Sequence, residues 1–320
     1  MDDLAVADTI SKVLCASSEK ENGTGVKTST LENAHSTTLS ADLPHSHPYD
    51  WETILASFRA HQVPDLESAN DVEYIRVIQT HHGMGWLRVT QHAQKDALRL
   101  ELWNGDQSDL EAVTNSVRRM FDLDADLGAI ARAMGNDPTL RSLWTRHPGL
   151  RVPRSWDGFE SMVTTILGQL VSVSFGRTLT RELMDAAGKK VRHPKTGETM
   201  RLFPTAAQLL RADLSTVRTS EARRSAIRAL ASCVVDGTLN WKVPIDHDTL
   251  RKLLLSIAGI GPWTAEYVAM HGFHDDDAFP ATDYGLKQQL KCYPQIRVND
   301  VRPWRAYAAM LLWKDLSCSK

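Results

Sequence analysis

The stretch that decides the fold is Leu253-Leu-Leu-Ser-Ile-Ala-Gly-Ile-Gly-Pro-Trp-Thr-Ala-Glu-Tyr267. A helical pattern runs into Gly259-Ile260-Gly261, and a second helical pattern begins almost at once. Glycine turns this tightly at low steric cost, and Ile260 can fill the apolar gap between the two helices. The second helix presents free N–H groups and its positive dipole end beside the turn, which suits a DNA phosphate. The two glycines and Thr264 are therefore candidate DNA-binding residues, although Gly-x-Gly alone favours a plain helical hairpin.

Helical patterns dominate the chain around this hairpin. Apolar residues recur at helical spacing from Phe159 to Leu170, and Ser172 or Ser174 can cap a following helix. Further helices are predicted over 205–212, 221–235, 248–257, 263–271, 284–292 and 302–313. We therefore expect residues 121–320 to form one mainly helical domain.

A smaller α+β domain is predicted before the helical part, over residues 48–120. Its first element is a short helix over 51–61, and an amphipathic helix that begins at Ser108 closes it. Three candidate strands lie between these helices, each bounded by polar or turn-forming residues: 74–79, 85–91 and 98–103. This pattern is typical of a small antiparallel sheet.

The first part of the chain has a different composition. Residues 1–47 are rich in Ser, Thr, Asn, Glu and Lys, and few large apolar residues follow Leu14. Such a composition predicts a disordered tail. His45 and His47 lie in this tail, and we interpret them as solvated side chains rather than metal ligands.

Composition disfavours several classes of protein. No run of about 18 apolar residues is present, so we expect no transmembrane helix and no membrane partner. The acidic start lacks an apolar segment, which argues against a secretory signal and favours an intracellular protein of the cytoplasm or nucleoid, or of the nucleus in a eukaryote. The cysteines form no C-x-x-C pair, which argues against a zinc site or a cysteine-ligated cluster; they are Cys15, Cys233, Cys292 and Cys318.

Charge divides unevenly along the chain, although the formal net charge is only −2. Residues 1–120 hold 10 Lys and Arg against 18 Asp and Glu, and residues 121–320 hold 27 against 21. The first part therefore carries −8 and the second +6. This asymmetry places any nucleic-acid surface in the second part.

The sequence around the hairpin resembles the helix-hairpin-helix glycosylase superfamily. Within it, the chain from Tyr49 to about Lys314 is similar to the AlkA-type 3-methyladenine DNA glycosylase II family. The resemblance rests on the hairpin and on five further segments: Tyr49–Trp51, Arg118–Leu123, Pro148–Pro153, Ile166–Ser172 and Arg302–Trp313. It implies a helix-hairpin-helix (HhH-GPD) fold preceded by an antiparallel-sheet domain. It also implies an enzyme of base excision repair, expected to be a monomer, that acts on double-stranded DNA carrying alkylated bases such as 3-methyladenine and 7-methylguanine.

The resemblance assigns catalysis to Asp283, which lies 22 residues after Gly261 at the start of the next predicted helix. Breaking an N-glycosidic bond builds positive charge on the sugar, and a nearby carboxylate stabilises that charge and can orient the attacking water. The alternative is that Asp283 only caps the N-terminus of the helix that begins at Tyr284. Asp283 can also be both a cap and the catalytic carboxylate. The polar run Asp275–Asp277, with His271 and His274, resembles a metal cluster, but we interpret it as a solvated turn because no ligand spacing repeats.

The resemblance also assigns a base pocket to Trp263, Tyr267 and Trp313. Alkylation at a ring nitrogen makes a purine cationic, and aromatic faces attract cations. Core packing is the alternative for each of these rings. The aromatic ring that some relatives contribute from the N-terminal helix is replaced here by Ser57, with Phe58 adjacent, and the loop before Asp283 has Pro280 and no glycine.

Two residues are expected to contact the duplex where a base has been flipped out. By resemblance, Leu170 fills the hole that the base leaves, and Gln169 lies near the opposite strand. The alternative for Leu170 is the apolar stripe of the preceding helix.

The resemblance further implies a monovalent cation, Na⁺ or K⁺, on the backbone carbonyls of Leu255, Ile257 and Gly259. No other cofactor is expected. Relatives that also nick the abasic strand carry a lysine nucleophile where this chain has Trp263, so we expect a monofunctional hydrolase without lyase activity. The four-cysteine iron–sulfur loop of endonuclease III relatives is absent from the sequence.

Two other functions remain open. A catalytically inactive helix-hairpin-helix scaffold would bind duplex DNA with the same salt dependence but would not need a carboxylate facing an aromatic pocket. A glycosylase for oxidised or mismatched bases is disfavoured by Trp263 and the missing cluster motif.

Overall fold

The computed structural model describes residues 38–192, 199–240 and 245–318. An antiparallel sheet with two helices comes first, and a larger helical part follows. The predicted fold class, mainly helical with a smaller α+β part, is confirmed. The predicted tail over residues 1–37 lies outside the described residues. No helix in the described ranges is long and apolar enough to span a bilayer.

The sheet has five antiparallel strands in the order β1-β5-β4-β3-β2. The strands are β1 Leu39–Pro44, β2 Glu67–Ala69, β3 Glu73–Thr80, β4 Gly83–Gln91 and β5 Ala97–Trp103. The three predicted strands correspond to β3, β4 and β5. Strands β1 and β2 add one short strand at each edge of the sheet.

The prediction of a disordered tail up to residue 47 is wrong for residues 38–47, which the structure describes and which include strand β1. Strand β1 pairs with β5 from Leu39 opposite Leu102 to Pro44 opposite Ala97, and the Leu43 side chain is buried. His45 stacks on Tyr49 with ring centroids 4.4 Å apart. The segment has only three alternating apolar positions within a polar stretch, so its order comes from pairing with a neighbouring strand rather than from its own composition.

Two helices pack on the sheet, α1 Trp51–His61 and α2 Gln107–Met120. Asp106 begins α2 with a capping box, in which its side chain accepts from the Asp109 N–H and the Asp109 carboxylate accepts from the Asp106 N–H. The core beneath these helices also includes Phe121 and Leu123, which follow α2. The hydrophobic core of the first domain therefore extends a few residues beyond the predicted boundary at 120.

Ten α-helices form the helical part within the described ranges. They are α3 Leu127–Met134, α4 Pro138–Arg146, α5 Gly158–Gly168, α6 Val173–Ala187, α7 Ala206–Arg211, α8 Glu221–Val235, α9 His247–Ser256, α10 Pro262–Gly272, α11 Tyr284–Cys292 and α12 Arg305–Cys318. Two short 3₁₀ turns, Leu214–Thr216 and Val298–Val301, and a hairpin of β6 Lys190–Arg192 with β7 Thr199–Arg201 connect them. The sequence patterns did not indicate this hairpin.

A buried ion pair joins the two parts of the molecule. Arg76 on β3 donates to Glu160 on α5 and, at 2.9 Å, to Glu67. Burial raises the pKa of the Glu160 carboxyl above its usual range. Removing one partner of such a pair leaves an uncompensated buried group, so the pair fixes how the sheet and the helical part meet.

The polar run after α10 is not the solvated turn that we expected. Asp275 is buried and accepts from Arg251, and Asp276 accepts from Arg154. Arg305 donates to Asp277 from α12. Arginines from three other segments neutralise the three carboxylates, and the sequence pattern could not show that these partners would converge.

Helices α5 and α10 approach closely because both carry a glycine at the crossing. A Cβ on Gly272 would lie 2.7 Å from the Ser161 Cβ and 2.8 Å from its Oγ. Gly158 lies opposite, with its Cα 3.6 Å from the same point. This close packing sets the position of α10, which carries most of the candidate site.

We expect Gly272→Ala to destabilise the protein by about 1–3 kcal/mol, because the new methyl group overlaps Ser161 in a packed core. The matched control is Gly128→Ala, which also lies in a helix but is exposed and has only a flexible arginine end and a carboxylate oxygen at 3.4 Å. Urea denaturation of both variants measures the difference. Equal stability of the two variants would contradict the packing described here.

We also expect acid to destabilise the fold through His274, since burial lowers its pKa to about 3. Between the usual histidine pKa of about 6.5 and pH 3, the unfolded chain binds a proton that the folded protein does not, so the free energy of unfolding falls as pH falls. His274 has a φ of 58°, which asparagine tolerates. His274→Asn should therefore weaken the pH dependence measured by urea denaturation from pH 7 to pH 4, and an unchanged pH dependence would contradict this role of His274.

Candidate active site

The predicted hairpin is confirmed as helix α9, a tight turn and helix α10. Gly259 has a φ of +91°, the left-handed region that favours glycine. Ile260 is buried between the helices, and its N–H donates to the Ile257 carbonyl at 3.0 Å. Gly261 begins α10 without a side-chain cap. The positive end of α10 therefore lies beside the turn with no side chain satisfying its first N–H groups.

Gln169 connects this hairpin to the end of α5. Its Nε2 donates to the Gly259 carbonyl at 3.0 Å and to the Thr264 Oγ1 at 2.9 Å. Arg223 from α8 donates to the Gln169 carbonyl. The Thr264 side chain is buried, so it holds Gln169 in place rather than forming an exposed contact surface.

Leu170 lies beyond the end of α5 and is exposed. The helix ends at Gly168, so the interpretation of Leu170 as part of the apolar stripe of that helix is wrong. Its side chain is 66% exposed, and its φ is 55°, a left-handed conformation that costs a leucine on the order of 1–3 kcal/mol. Neither exposure nor strain helps the fold, which makes Leu170 a candidate for a contact with a ligand.

Asp283 is held by three hydrogen-bond donors. Its Oδ1 accepts from the Leu286 N–H at 3.0 Å and from the Trp313 Nε1 at 3.0 Å, and its Oδ2 accepts from the Trp263 Nε1 at 3.1 Å. Asp283 thus caps α11, and two indole groups fix its carboxylate at the same time. The predicted cap is confirmed, and the carboxylate lies beside two of the three predicted pocket aromatics.

The preceding loop is anchored to α10, which explains how it reaches this position without glycine. The Phe279 N–H donates to the Glu266 carboxylate at 3.0 Å, and the Asp283 N–H donates to the Pro280 carbonyl at 2.8 Å. Glu266 in turn pairs with Arg251 on α9. The loop that carries Asp283 is therefore tied to both helices of the hairpin.

The three predicted pocket aromatics form one cluster, but they differ in burial. Trp263 and Tyr267 stack with centroids 5.0 Å apart and are partly exposed, and Tyr267 lies 6.5 Å from Trp313. Trp313 is 1% exposed. Its indole therefore supports Tyr267 and Asp283 from behind, and the expectation that it lines an open pocket is not met. Burial, and to a lesser degree Asp283, raises the pKa of Tyr267, so its hydroxyl stays protonated.

A cavity opens in front of Trp263 and Tyr267, between the two parts of the molecule. Helix α1 contributes Ser57 and Phe58 to its wall. Ser57 replaces the aromatic residue that some relatives have in this helix, and Phe58 supplies an aromatic ring next to it. Strand β3 adds Arg76, and much of the remaining wall comes from α5, α6, α10 and the segments that flank α5, including Trp156, Glu160, Gly168 and Val171. Gly168 and Val171 flank Leu170, which places the exposed leucine beside the cavity mouth.

His271 lines this cavity, whereas the sequence predicts that it lies in a solvated turn. It lies one turn after Tyr267 on α10 and contacts that ring at a tilt of 44° with centroids 4.3 Å apart. Its Nδ1 lies 2.6 Å from the carbonyl of Pro153, 118 residues earlier in the chain. The spacing of Trp263, Tyr267 and His271 at intervals of four residues could have shown that they share a helix face.

The carbonyl groups predicted to hold a monovalent cation suit that ion by donor type. Leu255 lies in the last turn of α9, where carbonyls lack helical donors. The Ile257 and Gly259 carbonyls each accept one hydrogen bond, from Ile260 and Gln169, and each keeps a second lone pair. Neutral backbone oxygens are ligands that a hard monovalent cation accepts.

The sequence and the fold are similar to those of known proteins. Residues 40–157 match the AlkA N-terminal domain family, a range that includes all of β1 but its first residue and passes the predicted boundary at 120. A solved structure, 3-methyladenine DNA-glycosylase from Archaeoglobus fulgidus, has the same fold with a TM-score of 0.69 and 19% identity, over 86% of this chain and 97% of that one. MBOgg1 in complex with a low-affinity DNA ligand aligns with a TM-score of 0.67 and 20% identity, over 91% of this chain and 98% of that one.

Two curated relatives are more similar in sequence. The probable bifunctional transcriptional activator/DNA repair enzyme AlkA of Mycobacterium tuberculosis is 37% identical over 87% of this chain, which spans only 57% of that longer protein. DNA-3-methyladenine glycosylase 2 of Escherichia coli is 30% identical over 83% of this chain and 94% of its own length. The chain therefore belongs to the DNA-3-methyladenine glycosylase 2, or AlkA, family.

Proposed function

We propose that this protein is a DNA glycosylase that flips an alkylated base out of duplex DNA and hydrolyses its N-glycosidic bond. The observation that carries the proposal is the Asp283 carboxylate, which two indole N–H groups and a helix N–H hold beside an aromatic cavity. An inactive DNA-binding scaffold would not need this arrangement. The names of the Escherichia coli and Mycobacterium tuberculosis relatives support the same activity.

Asp283 would act mainly by electrostatics. As the bond between C1′ and the base stretches, positive charge develops on the sugar, and a carboxylate close to that carbon stabilises it. Its donors already fix both oxygens, so the group need not reorganise during the reaction. The same carboxylate can orient a water molecule that attacks C1′ and can accept its proton.

The cavity would hold the flipped base. Trp263 and Tyr267 offer stacked aromatic faces, and Phe58 adds a ring from α1. Such faces attract a cationic purine by roughly 0.5–2 kcal/mol, so they favour bases alkylated at N3 or N7 over neutral ones. Trp313 would contribute by supporting Tyr267 and Asp283 rather than by contacting the base.

The hairpin and the loop after α5 would hold the DNA. The positive end of α10 at Gly261 suits a phosphate of the damaged strand, and a monovalent cation on the carbonyls of Leu255, Ile257 and Gly259 would add charge at the same place. Leu170 would enter the space that the base leaves. Its strained, exposed conformation already presents the side chain for that contact.

Hydrolysis should proceed without a covalent intermediate. Trp263 occupies the position that carries a lysine nucleophile in bifunctional relatives, and its indole N–H is engaged with Asp283. A water molecule is then the nucleophile, and the abasic strand is left intact. We propose that the protein works inside the cell. We also propose that it works as a monomer, because the cavity and the hairpin are complete within one chain.

The central test is Asp283→Asn, since asparagine still caps α11 but removes the negative charge. We expect the rate of excision of 7-methylguanine and hypoxanthine from duplex DNA to fall on the order of 10²- to 10³-fold. This is the typical loss when one group that stabilises the charge of the transition state is removed. Released base is measured by chromatography. Asp137→Asn is the matched control, because Asp137 is an equally buried N-cap, on α4, and should retain full activity.

Two outcomes would contradict the proposal. Wild-type protein that binds duplex DNA but releases no base would favour the scaffold function. Full activity of Asp283→Asn would show that hydrolysis depends on another group.

We also expect the product strand to remain whole. After reaction with the wild-type protein, a denaturing gel should show cleavage only when the DNA has been treated with hot alkali, because no amine attacks C1′. Borohydride added during the reaction should trap no protein–DNA adduct. A trapped adduct would reveal a Schiff base and would overturn the assignment of water as the nucleophile.

A further inference from the structure

His271 lies at the wall of the cavity, and its orientation is fixed on three sides. Its ring contacts Tyr267 at a tilt of 44°, with centroids 4.3 Å apart, and lies nearly parallel to Trp313, with an interplanar angle of 20° and centroids 6.4 Å apart. The third contact is a short hydrogen bond, 2.6 Å, between its Nδ1 and the Pro153 carbonyl. The ring therefore has one well-defined position.

These contacts also determine which nitrogen carries the proton. A carbonyl oxygen only accepts hydrogen bonds, so Nδ1 must be the donor. Burial lowers the pKa of the imidazole to about 3, with the nearby Arg154 acting in the same direction, so the ring is neutral at physiological pH. Nε2 therefore presents a lone pair and is a hydrogen-bond acceptor.

This acceptor has no partner in the part of the chain that the structure describes. Nε2 of His271 is buried and makes no hydrogen bond. Nearly all buried polar atoms in proteins have a partner, and His271 lines the cavity, so a molecule bound in the cavity is a candidate partner for Nε2. His274 also has a buried Nε2 without a partner, but it does not line the cavity.

We propose that Nε2 of His271 accepts a hydrogen bond from an N–H group of the flipped base and so selects for bases that carry such a donor. This inference rests on the glycosylase function proposed above. Adenine-type bases with a free 6-amino group, guanine-type bases and hypoxanthine all offer an N–H on the ring edge opposite the sugar. An etheno adduct that closes a ring across N1 and N6 of adenine offers none. The stacked aromatic rings accept both kinds of base, and His271 distinguishes them.

The test compares excision of hypoxanthine with excision of 1,N6-ethenoadenine under single-turnover conditions. His271→Phe keeps an aromatic ring for stacking but removes the acceptor. We expect the ratio of the hypoxanthine rate to the ethenoadenine rate to fall about tenfold, the effect of one hydrogen bond to a neutral acceptor. His271→Gln, whose amide oxygen can accept, should recover part of the ratio. His274→Asn, the control, should leave the ratio unchanged.

A second measurement does not depend on turnover. In Asp283→Asn protein with ¹⁵N-labelled histidine, the Nε2 resonance of His271 should move towards lower frequency when duplex DNA containing hypoxanthine binds, since accepting a hydrogen bond shifts a ring nitrogen that way. Duplex DNA containing ethenoadenine should not cause this shift.

The results separate failure of this inference from failure of the proposed function. If wild-type protein excises bases but His271→Phe leaves the ratio unchanged, or if Nε2 does not respond in the saturated hypoxanthine complex, the role of His271 is wrong and the glycosylase function stands. If wild-type protein excises no base, the proposed function itself fails.

Discussion

The structure depends on keeping one carboxylate, that of Asp283, out of water but fully hydrogen-bonded. A buried charge without partners is strongly unfavourable, and three N–H groups meet this need: two from indole rings and one from the first turn of α11. The donors come from α10, α11 and α12, and the loop anchored on Glu266 joins the first two of these helices. The helical part is thus organised so that a charged group can be buried at the edge of an aromatic cavity.

The cavity itself needs both parts of the chain. Helix α1 and strand β3 supply one wall, and helices α5, α6 and α10 supply the other. The Arg76–Glu160 pair holds these walls together, and the glycine crossing of α5 and α10 sets their spacing. The sheet domain is therefore part of the site and not an appendage to it.

The sequence could predict what depends on local pattern. The bounds of α1, α8 and α11, the turn at Gly259 and the cap at Asp283 follow from periodicity, glycine and capping residues, and the structure has them where expected. It could not predict features that depend on distant partners. Strand β1 is ordered by β5, the carboxylates after α10 are neutralised by arginines from elsewhere, and His271 is oriented by Pro153. The burial of Trp313 likewise follows from packing that no local pattern encodes.

Trp263 has a consequence for how such proteins can diverge. Its ring forms part of the cavity wall and its N–H supports the carboxylate, so one residue serves two functions. Exchange of this tryptophan for lysine would introduce a nucleophile, but it would also remove a stacking surface and replace a neutral donor with a cation beside Asp283. Leu286 and Trp313 would still hold the carboxylate, but a change from hydrolysis to strand cleavage by that single substitution would remove a wall of the cavity at the same step. The double role of Trp263 thus acts as an evolutionary constraint on reaction type.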